Sequence, residues 1–150
     1  MSVRTGDRGE QKLQVLNKAR ELKEYSLGLV RNEKVFPKST RWLYASPIAQ
    51  EVRRAVVAIR HANSINVTMT EEYVARRLAQ DKAYAHLEAL FDLVDDAYQA
   101  RYISDDRCEF WAGNIDGVQK LLKGWMKSDR ERYRVYVPAD PGKPPKIVEL

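Results

Sequence analysis

Arg53 and Arg60 stand seven residues apart, two turns of a helix, and Arg54 and His61 repeat that offset beside them. On one helix these four side chains form a cationic stripe. Such a stripe suits a polyanion, because each phosphate it neutralises releases condensed counterions. The same pattern also describes an ordinary solvated face. Next to it, Ile48, Val52, Ala55, Ile59 and Ala62 step by 4, 3, 4, 3, which keeps an apolar seam against one neighbour. The helix therefore offers an apolar edge to its own fold and a basic edge to something else.

Chemistry of other kinds is sparse. His61 and His86 sit in no metal-ligand pattern, and the Glu-x-x-His spacing of bundle di-metal sites is missing. Asp95 and Asp96 are adjacent and point to different sides of a helix, so they do not form an acid–base pair. Cys108 lies among Asp105, Asp106 and Glu109, which discourage a thiolate. Neither a phosphate-cradling glycine loop nor a serine elbow occurs. The expectation is a protein that is not an enzyme and holds no metal and no cofactor.

At 150 residues the chain is long enough for one domain with a real core. With 44% hydrophobic and 31% charged residues it reads as globular, and its net charge of +5 favours polyanionic partners. It has no apolar run of about 18 residues, so no membrane span is expected. Met1–Asp7 lacks the apolar core of a secretory leader. A single cysteine fits a reducing cytoplasm.

Residues 1–9 read as a flexible N-terminus, and four helices follow over residues 10–128. The first, from about Glu10 to Val35, keeps Val15, Ala19, Leu22, Leu29 and Phe36 in a seven-residue register with Ser26 and Glu33 as imperfect members, and Pro37 stops it. Ser39–Tyr44 is either a connection or an early turn of the second helix, for which Ser46 reads as N-cap and Pro47 as first residue. Thr70 reads as the cap of a third helix whose face carries Tyr84, Leu87, Phe91, Val94 and Tyr98. Ser104 caps a fourth, with Trp111, Ile115, Val118, Leu122 and Trp125 as its seam. Gly113, Gly117 and Gly124 share a side and suggest a closely approaching backbone, from this chain or a second subunit. The fourth helix is expected to fray after Ser128, Tyr133–Val137 to form a short strand, and the rest of residues 129–150 an extended proline-rich arm. Short connections imply antiparallel neighbours, hence an all-α, up-down-up-down four-helix bundle.

That topology gathers Arg31, Lys34, Lys38, Arg41, Arg101 and Arg107 at one pole, and Arg60, His61, Lys123, Lys127, Arg130, Arg132 and Arg134 at the other. The third helix instead carries an acidic stripe, Glu88, Asp92 and Asp95, with Arg76, Arg77 and Lys82 as the only cations among its seven carboxylates. A basic and an acidic helix on one chain allow copies to pair head to side, and heterologous contacts of that sort generate rings.

Several short stretches resemble a known family. Phe36-Pro37-Lys38-Ser39-Thr40-Arg41, Arg53-Arg54-Ala55-Val56, Arg101-Tyr102-Ile103-Ser104 and Leu121-Leu122-Lys123-Gly124-Trp125-Met126-Lys127-Ser128 are similar to motifs of small bacterial four-helix-bundle proteins. That family includes the accessory variability determinant (Avd) proteins of diversity-generating retroelements and the proteins encoded in 23S rRNA intervening sequences. The closing Gly-Trp-x-Lys-Ser element resembles the retroelement branch more, and Ala62-Asn63-Ser64-Ile65-Asn66 departs from the ribosomal one. The resemblance covers residues 10–128. It implies a ring-shaped homopentamer, cytoplasmic in a bacterium or phage-encoded, that binds RNA and/or DNA and the retroelement's reverse transcriptase to support mutagenic reverse transcription of a template RNA. It carries over Lys38, Arg41, Arg53, Arg54, Lys123 and Lys127 as nucleic-acid contacts, to which the stripe adds Arg60. The alternatives are a protein–protein adaptor and an intervening-sequence-type bundle without a retroelement role.

Overall fold

The computed structural model describes residues 5–139, with side chains from residue 11 onward. Four helices account for most of it: α1 (Thr5–Arg31), α2 (Ser46–Ser64), α3 (Thr70–Gln99) and α4 (Asp105–Arg132). Each packs on its neighbour in the chain, and α1 closes the ring against α4, so α2 and α4 lie on a diagonal. Contacts at both ends fix antiparallel order: Trp111, early in α4, meets Ser26, late in α1, while Arg76, early in α3, meets Asp129, late in α4. This is the expected four-helix bundle. Among the described residues there is no strand, and no helix is long and apolar enough to cross a membrane.

All four helices bury seams in steps of three and four: Val15, Ala19, Leu22, Ser26 and Leu29 on α1; Ile48, Val52, Ala55, Ile59 and Ala62 on α2; Trp111, Ile115, Val118, Leu122 and Trp125 on α4. On α3 the seam is Tyr73, Arg76, Gln80, Ala83, Leu87, Leu90, Val94 and Ala97. Phe91, expected in the core, lies at its outer edge and is exposed. Ser26 is no flaw in the register, since it accepts the buried indole N–H of Trp111 at 2.9 Å. That bond satisfies a donor that would otherwise be stranded in an apolar core.

The boundaries depart from expectation where local hydrogen bonds compete with the helix. α1 begins at Thr5, before the register that announced it, and ends at Arg31. Asn32 turns the chain: its side-chain oxygen accepts the Lys34 N–H, and its carbonyl accepts those of Val35 and Phe36. That turn folds Val35 and Phe36 into the core and leaves Glu33 outside. Ser46 is not an N-cap. The chain is already helical from Lys38, through a 3-10 turn (Lys38–Thr40) and a π-helical turn (Arg41–Ala45) in which the Ser46 N–H donates to the Arg41 carbonyl. Pro47 explains the widening, because its ring lacks an N–H and would press on the carbonyl four residues back.

Thr70 does not cap α3 with its side chain either; Thr68 instead donates its N–H and hydroxyl to Glu72 one turn inside. Ser104 caps α4 as expected, accepting the Arg107 N–H at 3.2 Å. α4 does not fray at Ser128, and Tyr133–Val137 is not a strand but a 3-10 turn, Arg134–Tyr136. Asp129 holds this end in place by burial, as described below. Among the described residues nothing lies within 4 Å of where a Cβ would stand on Gly113, Gly117 or Gly124, so no described backbone approaches them. The expected arm beyond residue 139 and the first four residues lie outside the described residues.

Candidate nucleic-acid interface

Helix α2 positions the central cations. Its buried seam fixes its roll, which turns Arg53, Arg54, Arg60 and His61 outward, all exposed. Val57, at 63% exposure, sits between Arg53 and Arg60 on the same outer side. Neither arginine makes an ion pair among the described residues, so both guanidinium groups keep all their donors for a ligand.

The other candidates are less free. Arg54 lies 3.6 Å from Glu51, one turn back. Glu51 also binds Nδ1 of His86 at 2.7 Å, tying α2 to α3. Because a carboxylate only accepts, that histidine nitrogen carries the proton. Lys38 faces Glu33 at 3.9 Å, an exposed pair that restrains it little. Lys123 lies over the ring of Tyr84, 4.5 Å from its centre, which draws it toward α3. Arg41 and Lys127 are exposed.

In one protomer these seven residues make no single patch. Lys38 and Arg41 mark the corner where the chain enters α2, and Arg53, Arg54 and Arg60 run along that helix. Lys123 and Lys127 lie diagonally across the bundle on α4. The third helix keeps its acidic stripe, with Glu88, Asp92 and Asp95 exposed, although Glu88 accepts a bond from Gln119 of α4 at 2.9 Å.

No family model matches this chain, and neither a curated protein nor a solved structure is similar to it. The functional reading therefore rests on residue chemistry and on the motif resemblance.

Burial first, and then the charges of Asp95 and Asp105, push the Cys108 thiol above its usual range, so the nucleophilic thiolate is scarce at neutral pH. Tyr98 donates to Asp105 at 2.6 Å, and that bond raises its phenol. Among the described residues no group of three or more His, Cys, Asp or Glu side chains could hold a metal ion.

One constellation was hidden in the sequence. Arg76, read only as one of the cations of the third helix, is 1% exposed; Asp129, expected in the frayed end, is 3% exposed. The guanidinium donates from Nε and Nη2 to both carboxylate oxygens at 2.7 and 2.9 Å, and from Nη1 to the Ile65 carbonyl at 3.1 Å. Gln80 adds a bond to Asp129 at 2.8 Å, and the rings of Trp125 and Tyr133 flank the arginine at 5.0 and 5.6 Å. With all three guanidinium nitrogens and both carboxylate oxygens bonded, this is a structural clasp between α3, α4 and the α2–α3 loop.

Proposed function

We propose that this chain is a non-catalytic accessory protein of a diversity-generating retroelement, one that binds nucleic acid and the retroelement's reverse transcriptase through basic surfaces. The observation that carries the nucleic-acid part is the pair Arg53 and Arg60, exposed, aligned and without an acidic partner among the described residues. Two guanidinium groups on one rigid helix address successive phosphates without reading bases, so low sequence specificity is expected. The retroelement assignment is supported by the motif resemblance alone. Within one copy the α2 stripe and the α4 cations lie on a diagonal, so a ring of copies, which that resemblance implies, would be needed to join them into one surface.

The test is RNA binding by fluorescence anisotropy over a salt series. Affinity should fall steeply with salt, and Arg53→Glu with Arg60→Glu should flatten the log–log slope by about 1.4 per protomer engaged, two phosphates at roughly 0.7 each for a single strand. Binding untouched by both reversals would remove this reading. The alternative is a protein–protein adaptor whose basic face meets an acidic protein.

A further inference from the structure

Among the described residues one non-glycine residue has a positive φ: Arg101, at 66°. It ends α3 in a Schellman turn, where its N–H donates to the Tyr98 carbonyl at 2.9 Å and that of Tyr102 to the Ala97 carbonyl at 3.0 Å. The left-handed position of that turn favours glycine, because a Cβ there crowds the following carbonyl. Arginine at this position therefore strains the backbone. Its guanidinium gives the fold nothing in exchange, since the side chain is exposed and makes no ion pair among the described residues. Strain held without a structural partner points to a use for the side chain.

The same end of the bundle holds Trp42, 79% exposed on the π-helical turn Arg41–Ala45. The rings of Tyr44 and Tyr102, 5.4 Å apart, join that turn to the α3–α4 connection, and Trp42 and Arg101 flank them in sequence. No carboxylate occurs between Glu33 and Glu51, whereas Lys34, Lys38 and Arg41 do and are exposed. Of the carboxylates at this end, Glu33 faces Lys38 at 3.9 Å, Asp105 accepts the Tyr98 hydroxyl at 2.6 Å, and Asp106 stands exposed in the first turn of α4. An exposed indole among cations suits a nucleobase and its phosphates, and an unpaired base is needed, because a duplex hides the faces of its bases. The position is continuous with the α2 stripe: Arg53 follows Trp42 by about three helical turns, so a strand lying along Arg60 and Arg53 runs on toward Trp42.

We propose that Trp42 stacks an unpaired nucleobase while Arg101 holds a phosphate of the same strand, so that this end of the bundle selects single-stranded nucleic acid. Leu43, 67% exposed beside Trp42, widens the apolar surface on which the base rests. The inference rests on the nucleic-acid part of the functional reading. To that reading it adds a preference for strand state, which two guanidinium groups addressing phosphates along α2 do not supply.

Titrating the full chain with a short unstructured RNA, free or annealed to its complement, tests it by anisotropy and tryptophan fluorescence. The parent should bind the single strand more tightly than the duplex. Binding should quench tryptophan emission, because Trp42 is exposed while Trp111 and Trp125 are buried. Trp42→Ala should weaken single-strand binding about 10-fold, the loss of one stacked base, and leave duplex binding unchanged. Trp42→Phe should keep most of the affinity and lose the quench. Arg101→Gly should unfold about 2–4 °C above the parent, from relief of the left-handed strain, yet flatten the log–log salt slope for the single strand by about 0.7. Arg101→Lys should keep the parent's slope. A parent that prefers the duplex, Trp42→Ala binding like the parent, or Arg101→Gly with an unchanged slope would overturn the proposal. If Trp42→Ala has no effect while Arg53→Glu with Arg60→Glu flattens the slope, stacking at this end falls and the α2 reading stands. A parent that binds neither form of RNA would remove both.

Discussion

At the end of the bundle where α1 stops and α4 starts, Phe36, Tyr44, Tyr102, Trp111 and Tyr25 meet ring to ring with centroids 5.4 to 6.4 Å apart. At the opposite end Arg76 and Asp129 are buried, held by Gln80 and the Ile65 carbonyl. The aromatic end draws its stability from buried area, which each ring contributes separately. The ionic end is conditional: either charge is tolerable there only while the other is present. Each end also holds a core tryptophan. The Trp111 indole donates to Ser26, while that of Trp125 finds no acceptor among the described residues. The two ends thus differ in their kind of sensitivity, graded at one and all-or-none at the other.

The sharpest way to break this contrast is Asp129→Ala, which leaves a guanidinium buried without its counter-ion. A loss of about 3–5 kcal/mol in urea unfolding is expected. Arg76→Met with Asp129→Leu should recover most of it and end within about 1 kcal/mol of the parent, because both desolvation costs vanish together. A double variant as weak as the single one would show that the clasp works by shape and not by charge pairing.

Next in size, Trp111→Phe should cost about 2 kcal/mol, from lost packing and a Ser26 hydroxyl without its donor. Trp125→Phe should be the milder substitution, since it deletes a buried N–H that has no partner. Thermal unfolding of the two variants side by side checks the order. If Trp125→Phe proves the costlier, the stacking of Trp125 on Arg76, 5.0 Å apart, outweighs the unpaired donor.

Much of this architecture was legible in residue spacing. The α2 and α4 seams, the Ser104 cap and the outward Arg53 and Arg60 follow from steps of three and four and from cap chemistry. The clasp was written in the same register: stepping back from Leu87 gives Ala83, Gln80, Arg76 and Tyr73, and stepping on from Trp125 gives Asp129. The aromatic row Tyr84, Phe91 and Tyr98 drew the expected α3 face toward Phe91, and the charged run Asp129–Arg132 ended the expected α4 early. Opposite charges on core positions of adjoining antiparallel helices were the available signal. The π-helical turn was harder to see, because Ser46-Pro47 also reads as a helix start and only tertiary packing of Phe36 and Tyr44 distinguishes the two. The pairing of Arg54 with Glu51 was visible as an i, i+3 relation, whereas Lys123 over Tyr84 needs two helices in place.

The smallest expected effect probes the ionic end from its rim. Burial first, and then repulsion from Arg76 and Arg132, lower the pKa of Lys12, while Asp129 pulls it back up. A lysine whose folded pKa lies below its unfolded value binds fewer protons when folded. Its unfavourable contribution is therefore complete at neutral pH and fades as pH rises from the lowered pKa to the unfolded value of 10.5. Lys12→Met should then be slightly more stable than the parent at pH 7, by less than about 0.5 kcal/mol because the ammonium remains partly in water. That advantage should shrink toward pH 10.5, and comparing parent with variant cancels the tyrosines that titrate in the same range. In an Asp129→Ala background the same substitution should gain more, since the carboxylate that favours the Lys12 ammonium is gone. Equal gains in both backgrounds would place Lys12 outside the field of the clasp and confine the all-or-none behaviour to Arg76 and Asp129 themselves.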